Sequence, residues 1–315
     1  MENTAIPTGM LLRHIGWHPQ VRTVLLSGGT QGDEMTGIAL LKEWEENPSL
    51  VERPGIKVLR QLSNPEAVKR CVHSVSQDLN DFFSMEKLIG PAGSCYEQAR
   101  AQEIFRNLGS SKGYVDLVVD YHNTTANMGV TLIVSRLNPF ITRLVATLQQ
   151  RYPSFVHILY TPEEQMSSTF LDSLGVSGLT VETGPLEHGP HLDVVQYDKV
   201  RKIASDIMDF CAAWNTDSAP KEKAEVPVYR FLREVQYEDF DKDAVMEEDL
   251  NPELLGKDFQ PIAPGTLLLS RGVGVPEYWA GPGLAYPCFI RERAYRSVSE
   301  DEVALYLTSL STENW

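Results

Sequence analysis

The sequence has little positive charge and no long apolar run. It contains 28 lysine and arginine residues against 43 aspartate and glutamate residues, which gives a formal net charge of -15. Because phosphate backbones and anionic bilayers attract basic proteins, this balance argues against nucleic acid or a membrane as a partner. No stretch stays apolar for the length of a membrane-spanning helix, and the first residues, MENTAIPTGMLLRH, lack the pattern of a signal peptide. The composition therefore predicts a soluble, cytoplasmic protein.

Paired cysteines and a phosphate-binding loop are also missing. None of the four cysteines belongs to a CxxC pair, and they lie far apart, at Cys71, Cys95, Cys211 and Cys288. This spacing argues against a disulfide framework and against a cysteine-rich zinc site. A glycine-rich segment is present at residues 27–34, but it does not match GxxxxGK[ST], so a nucleotide phosphate loop is not expected.

Short apolar runs alternate with segments of helical periodicity. The runs predict buried strands at Val21–Leu26, Ile56–Leu62, Val115–Tyr121, Val130–Ser135, Val156–Tyr160 and Leu179–Glu182. Helices are predicted from near Met35, over Tyr96–Leu108 up to Gly109, and across the apolar face that runs from Val200 to Trp214. This alternation predicts an α/β sheet covered by helices on both sides.

The composition changes after Trp214. The polar stretch NTDSAPKEKAE is typical of a linker, and the following residues are rich in Val, Tyr, Pro and Gly. We therefore predict an α/β domain over residues 1–215 and a smaller β-rich domain over residues 222–315. Within the latter, the acidic run Glu238–Asp249 is expected to be a solvent-exposed loop.

Polar side chains follow three of the predicted strands, where open α/β sheets place their ligands. The first group is the glycine-rich turn Ser27–Glu34, the second begins at His122, and the third contains Glu182. Taken singly, each has a structural explanation: a tight turn, a hydrogen-bonded histidine, or a carboxylate that caps a helix or pairs with arginine. Burial of Glu182 at a strand end would instead suit it to act as a general base.

The order of these segments resembles the aspartoacylase and succinylglutamate desuccinylase family, nearest the branch of aspartoacylase and the aromatic aminoacylase. After the glycine-rich turn, the resemblance rests on DLN at Asp78–Asn80, YExxRAQEI at Tyr96–Ile104, HNTTANMG at His122–Gly129 and VETGP at Val181–Pro185. It implies a zinc-carboxypeptidase-like mixed sheet flanked by helices, with a smaller C-terminal β-rich domain. It also implies hydrolysis of the amide bond of N-acyl amino acids by a zinc-activated water, with a glutamate as general base.

The resemblance maps the metal site with one replacement. It implies Glu34 and His122 as zinc ligands and Glu182 as the general base. The third ligand is the histidine of the family's GGTHGNE, and Gln31 stands in its place. A neutral amide oxygen is a poorer zinc donor than imidazole, so we expect zinc binding to be weakened. Asp33 takes over this role only if the turn packs differently.

The substrate-binding residues also differ from the family pattern. An Asn and an Arg in the family's DLNR hold the substrate α-carboxylate, whereas this chain has Asn80 and Asp81, and Glu66 replaces a second arginine. Asp172, in LDS, agrees with the aromatic aminoacylase branch, and Tyr286 matches a tyrosine that reaches the site from the C-terminal domain. Because an acid at position 81 repels a carboxylate, we expect a small-molecule substrate without a free α-carboxylate. The alternatives are surface positions for Asp81 and Glu66 and a core position for Tyr286.

Three hypotheses about function stay open at this point. The first is a metal-assisted hydrolase that cleaves an amide or ester, with water activated by Glu182 beside a weakened site formed by Glu34, His122 and Gln31. The second is metal-free isomerisation, elimination or cyclisation that uses Glu182 and His122 as acid and base. The third is a catalytically silent homologue. The resemblance also points to self-association as a homo-oligomer.

Overall fold

The computed structural model describes residues 20–110, 115–165, 169–220, 222–237, 250–270, 275–292 and 303–315. The N-terminal segment and the acidic run Glu238–Asp249, each the subject of a sequence prediction, lie outside these ranges. Within them, no helix has both the length and the apolar character that crossing a membrane requires.

The described strands belong to one large sheet and one small sheet. Their bounds are β1 Thr23–Gly28, β2 Lys57–Leu62, β3 Leu117–Asn123, β4 Gly129–Val134, β5 Val156–Tyr160, β6 Ser177–Gly184, β7 Glu225–Gln236, β8 Leu267–Leu269, β9 Glu277–Tyr278, β10 Tyr286–Cys288 and β11 Val303–Asn314. The large sheet has nine strands in the order β10-β11-β7-β5-β4-β6-β3-β1-β2, and β8 pairs with β9. The six strands predicted from apolar runs correspond to β1–β6, so the α/β prediction is confirmed.

Strand direction brings the three polar groups to one edge of the sheet. β1 runs parallel to β2 and β3, and β3 runs parallel to β6, while β4 is antiparallel to β6. The carboxyl ends of β1, β3 and β6 therefore meet at the same edge. Glu34, His122 and Glu182 follow or end these strands.

Helices cover both faces of the sheet. In the described residues the α-helices are α1 Met35–Glu46, α2 Pro65–Arg70, α3 Met85–Ile89, α4 Tyr96–Phe105, α5 Pro139–Arg151 and α6 Val194–Asn215. The predicted helix after the glycine-rich turn is α1, and the predicted face from Val200 to Trp214 lies on α6. The helix predicted over residues 96–108 ends earlier as an α-helix and continues as a π-helical turn over Arg106–Ser110.

The period-2 alternation of strand side chains explains why both faces need helices. In β1, Val24 and Leu26 join a core with α1, α5 and α6, whereas Leu25 points to the other face and packs with α4 and the segment around Phe82. All three side chains are fully buried. Trp44 of α1, also fully buried, fills the first core. The central strands are thus apolar on both faces, as buried parallel strands usually are.

The chain after α6 extends the same sheet and adds a small β-rich unit. β7 pairs in parallel with β5 and antiparallel with β11, so it covers an edge of β5 that would otherwise expose unpaired backbone groups. β8 and β9 pack over a separate core that includes Leu250, Leu268 and Leu305. The predicted architecture, a mixed sheet flanked by helices with a C-terminal β-rich domain, is confirmed. The sharing of β7, β10 and β11 with the large sheet was not anticipated.

The glycine-rich turn after β1 needs glycine for space. A Cβ at Gly32 would lie 2.1 Å from the backbone carbon of Ala67 and 2.3 Å from the backbone nitrogen of Val68, both in α2. Gly29 adopts a φ of +67°, in the left-handed region that other residues rarely occupy. The turn therefore packs directly against the backbone of α2, which fixes the residues that follow it.

We predict that Gly32→Ala destabilises the protein by about 2 kcal/mol or more, because the new methyl group meets backbone that cannot rotate away. The control is Gly283→Ala, since a Cβ at Gly283 meets nothing within 4 Å. Urea unfolding measures both. Equal free energies of unfolding for the two variants would contradict this description of the turn.

Candidate active site

His122 lies at the centre of a carboxylate network at the end of β3. Its Nδ1 is 3.1 Å from Glu34 Oε2, and its Nε2 is 2.7 Å from Asp120 Oδ2. Glu34 Oε2 also accepts the backbone N–H of Asn123 at 2.9 Å. Thr30 donates to both Asp120 oxygens, at 3.0 and 3.1 Å, and so fixes the carboxylate behind the imidazole. The structure therefore brings together two of the predicted ligands, Glu34 and His122.

The electrostatics of His122 follow from these neighbours. Burial alone would lower the pKa of the imidazole. The charges and hydrogen bonds of Asp120 and Glu34 outweigh burial and raise the pKa of His122 well above its ordinary value. A carboxylate behind a histidine is also the usual partner of a metal-bound imidazole, because it fixes the tautomer and the ring orientation.

Gln31 lies near this network but is held by a different carboxylate. Its Nε2 donates to Asp78 at 2.9 and 3.1 Å, and its Oε1 is buried without a hydrogen-bond partner in the described part of the chain. An amide oxygen is a weaker donor for a divalent cation than a carboxylate or an imidazole, so Gln31 would be the weakest ligand of a site shared with Glu34 and His122.

Glu182 faces the same region from β6, where its position pairs in register with His122 of β3. The side chain is buried, and its Oε1 has no hydrogen-bond partner among the described residues. Burial raises the pKa of Glu182 well above its ordinary value; His122 opposes the shift, and Glu34 and Glu292 add to it. A buried carboxyl with a raised pKa and an unpaired oxygen is suited to exchanging a proton with a bound water.

A second group of donors lies beside the first. Asp33 Oδ1 is 3.6 Å from His73 Nδ1, and Asp33 Oδ2 is 4.0 Å from His188 Nδ1. The two imidazole rings are stacked, with centroids 6.1 Å apart. Asp33 thus faces His73 and His188 rather than replacing the ligand lost at Gln31. Sequence reasoning missed both histidines.

The charge state of this second group is set by carboxylates. Burial alone would lower the pKa of His73, but Asp33 and Asp78 raise it to about 10. Burial would likewise raise the pKa of Asp78, and the hydrogen bond with His73 lowers it instead. His73 Nε2 lies 3.0 Å from Asp78 Oδ2, so Asp78 contacts both Gln31 and His73.

The predicted substrate residues at positions 80 and 81 lie in a short 3-10 turn, Leu79–Phe82, capped by Asp78. Asn80 is buried, and its Oδ1 accepts the backbone N–H of Leu171 at 3.2 Å. Asp81 is half-buried, and its carbonyl accepts Lys87 Nζ at 2.7 Å. Glu66 lies at the surface, 3.6 Å from Arg70, which agrees with the surface alternative for this residue.

Asp172 lies close enough to Asp120 and His122 for their charges to act on it, and Tyr286 lies in an aromatic cluster. Asp172 is buried with one oxygen 2.8 Å from where a Cβ of Gly178 would be, and burial raises its pKa to about 6. Tyr286 lies on β10, and its ring is edge-on to Tyr229 at 5.6 Å. Tyr286 is half-buried, and its role in substrate binding stays a prediction.

The C-terminal part contributes a carboxylate that sequence reasoning missed. Glu292 accepts the backbone N–H of Thr125 at 2.8 Å and the Thr124 hydroxyl, and its Oε1 lies 3.6 Å from His188 Nε2. Nothing in RERAYR marked this glutamate. The contact between Asp120 and His122 could have been predicted from the sequence, because residues two apart on a strand lie on the same face of the sheet.

Comparisons with known proteins identify relatives of this chain along most of its length. The sequence model of the succinylglutamate desuccinylase/aspartoacylase catalytic domain matches residues 20–211, and that of the AstE/AspA barrel-sandwich hybrid domain matches residues 224–308. A probable aspartoacylase from Nostoc sp. is 32% identical over 88% of this chain and 93% of its own length. The N-acyl-aromatic-L-amino acid amidohydrolase (carboxylate-forming) of Xenopus laevis is 34% identical over 88% of this chain and 92% of its own length.

A solved structure extends the likeness to three dimensions. Murine aminoacylase 3 superposes with a TM-score of 0.82 at 29% identity, covering 94% of this chain and 97% of that protein. Both the sequence relatives and this structure span nearly the full chain, so the likeness includes the C-terminal β-rich domain.

We predict that Glu182→Gln stabilises the metal-free protein at pH 7 by about 1–2 kcal/mol, the scale of an unsatisfied buried polar group. The raised pKa means that the folded state favours the protonated form. The contribution of Glu182 to stability is therefore present at low pH and is lost as the pH rises above the ordinary glutamate value. Unfolding measured from pH 4 to pH 8 checks this, with the exposed Glu86→Gln as control; a destabilised Glu182→Gln at pH 7 contradicts it.

We predict that Gln31→His tightens zinc binding about tenfold or more, because an imidazole replaces the weak amide donor and Asp78 is placed to orient the new ring. Competition with a chelator, followed by metal analysis, measures the change. Gln260→His, at an exposed position, controls for zinc bound by any surface histidine. Equal zinc retention by the two variants would count against a cation site at Glu34 and His122.

Proposed function

The chain belongs to the succinylglutamate desuccinylase and aspartoacylase family, and we propose that it hydrolyses an amide or ester bond of a small molecule that lacks a free α-carboxylate. Its relatives include a probable aspartoacylase and an N-acyl-aromatic-L-amino acid amidohydrolase, and the second name states the hydrolysis of an N-acyl amino acid. The observation that carries the narrower proposal is the excess of carboxylates around Glu182. The resemblance adds Asp81, which stands where the family has an arginine.

The charge of the site supports a neutral or cationic substrate. The charges of Glu34, Glu292 and Asp120 all raise the pKa of Glu182, and Glu34 and Asp120 share His122 between them. A substrate carboxylate brought into this region meets like charge with little water to screen it, which costs several kcal/mol relative to an ion pair. An uncharged group at that position avoids this cost.

Glu182 is proposed to move the protons of the reaction. Its unpaired Oε1 accepts a proton from a water, and the hydroxide oxygen adds to the carbonyl carbon of the substrate. When the bond to the leaving nitrogen or oxygen breaks, Glu182 returns the proton to that atom, which releases a carboxylic acid and an amine or alcohol. His122 holds its position between Asp120 and Glu34 throughout.

Glu34, His122 and the Gln31 oxygen are the residues that would hold the catalytic cation. A zinc ion there supplies Lewis-acid polarisation and acidifies water at neutral pH. Because the Gln31 oxygen is a weak third donor, we expect this ion to exchange readily.

We predict that the protein hydrolyses carboxamides or methyl esters of N-acyl amino acids with a kcat/KM at least about tenfold above that of the corresponding free acids, because of the like-charge contact at Asp81. Asp81→Arg should reverse this preference, and the near-isosteric Asp81→Asn should remove it. A panel of matched acid, amide and ester substrates measures all three. A wild-type preference for the free acids contradicts the proposal.

Glu182→Gln and metal chelation together separate the three hypotheses about function. We expect a loss of about 10²–10⁴-fold in kcat, as for removal of a general base, and loss of wild-type turnover on chelation. Turnover that survives chelation but requires Glu182 and His122 would favour metal-free acid/base chemistry. No turnover of any acyl compound by zinc-loaded protein would favour a silent homologue.

A further inference from the structure

Asp33, His73 and His188 form a converging donor set that the family resemblance does not use. Each offers one ligand atom, and these atoms lie within 4.8 Å of one another. In the described part of the chain, no other group of three or more His, Cys, Asp and Glu side chains meets this condition. Glu34 and His122 provide only two such donors.

We propose that Asp33, His73 and His188 bind a divalent transition-metal ion such as zinc, beside the position that the family resemblance implies. Asp33 Oδ1 and His73 Nδ1 are 3.6 Å apart, too far for a hydrogen bond. Donor atoms in a tetrahedron around one zinc ion are about 3.3–3.6 Å apart. Both atoms are buried and have no hydrogen-bond partner among the described residues, so the space between them suits an ion.

The outer nitrogens of both imidazoles already have the partners that metal-binding histidines require. His73 Nε2 is 3.0 Å from Asp78 Oδ2, and His188 Nε2 is 3.2 Å from the carbonyl oxygen of Asn123. Each partner is an acceptor, so it favours the tautomer with hydrogen on Nε2 and leaves Nδ1 free to bind a metal. The same arrangement holds for His122, with Asp120 behind Nε2.

The backbone fixes the three donors relative to one another. The N–H of Gly32 donates to the carbonyl of His73 at 3.1 Å, and the N–H of Gly189 donates to the carbonyl of Asp33 at 2.8 Å. The glycine-rich turn therefore contacts both histidine-bearing segments. The side chains of His73 and His188 are only 10% and 4% exposed. Little ordering is left to occur when an ion binds, which favours tight binding.

The set is chemically distinct from the neighbouring one. Two imidazoles and one carboxylate are the ligands of many zinc and non-haem iron sites. The neighbouring set contains Gln31, whose amide oxygen is a weak metal ligand. The ion at Asp33 would also offset the carboxylates of Asp78 and Glu292. This inference stands whether or not the chain cleaves an amide.

The test is Co²⁺ titration of chelator-treated protein, read by visible absorption. We expect His73→Gln and His188→Gln each to weaken binding about tenfold or more, and Asp78→Asn, which removes an outer-shell partner, to weaken it about 10–100-fold. His191→Gln is the matched control, because His191 is exposed and lies three residues from His188. Glu34→Gln should leave this ion in place.

A second readout needs no variant, so it stands even if the substitutions disturb folding. In proton NMR of the Co²⁺-loaded wild type, each histidine bound through Nδ1 contributes one paramagnetically shifted, exchangeable Nε2–H signal. Two such signals, or three if the Glu34–His122 set is also loaded, support the proposal. A single signal or no bound Co²⁺ overturns it, as does a titration of the variants in which only Glu34→Gln loses Co²⁺ binding.

Discussion

The crowding of carboxylates at the carboxyl ends of β1, β3 and β6 is the constraint on which the site depends. Asp33 lies beside His73 and His188, and Glu34 and Asp120 contact His122, which pairs in register with Glu182. Glu34, Asp120, His122 and Glu182 are buried, so water screens their charges poorly. Such an arrangement is stable only if protons or cations neutralise it. Protons take part in this, because Asp120 and Glu34 raise the pKa of His122, and burial together with neighbouring carboxylates raises the pKa of Glu182.

The fold accounts for why these charges meet. Parallel pairing of β1, β3 and β6 brings three strand ends to one edge of the sheet. The glycine-rich turn packs against the backbone of α2, which fixes the position of the turn. Glu292, from the C-terminal part of the chain, adds another carboxylate to this edge by accepting hydrogen bonds from Thr125 and Thr124, which follow β3. A site with so much negative charge attracts divalent cations and repels carboxylates. The same negative charge therefore favours metal binding and disfavours substrates with a free carboxylate.

The sequence was sufficient to predict strands β1–β6 of the large sheet and to select three residues, Glu34, His122 and Glu182, that the fold brings to one edge of it. Apolar runs located β1–β6, and the resemblance identified Glu34, His122 and Glu182, because those signals are local. His73, His188 and Glu292 were missed because they lie in loops whose pairing depends on long-range contacts such as Gly189 with Asp33. The pairing of β7 with β5 is equally non-local. The cytoplasmic location and self-association stay predictions from the sequence.

Anomalous X-ray scattering at the zinc edge, from crystals of zinc-loaded wild-type protein, tests the central claim most directly. The account predicts a peak about 2.0–2.2 Å from Nδ1 of His73, Nδ1 of His188 and a carboxylate oxygen of Asp33. A peak confined to Glu34 and His122, or no peak in this region, would contradict it.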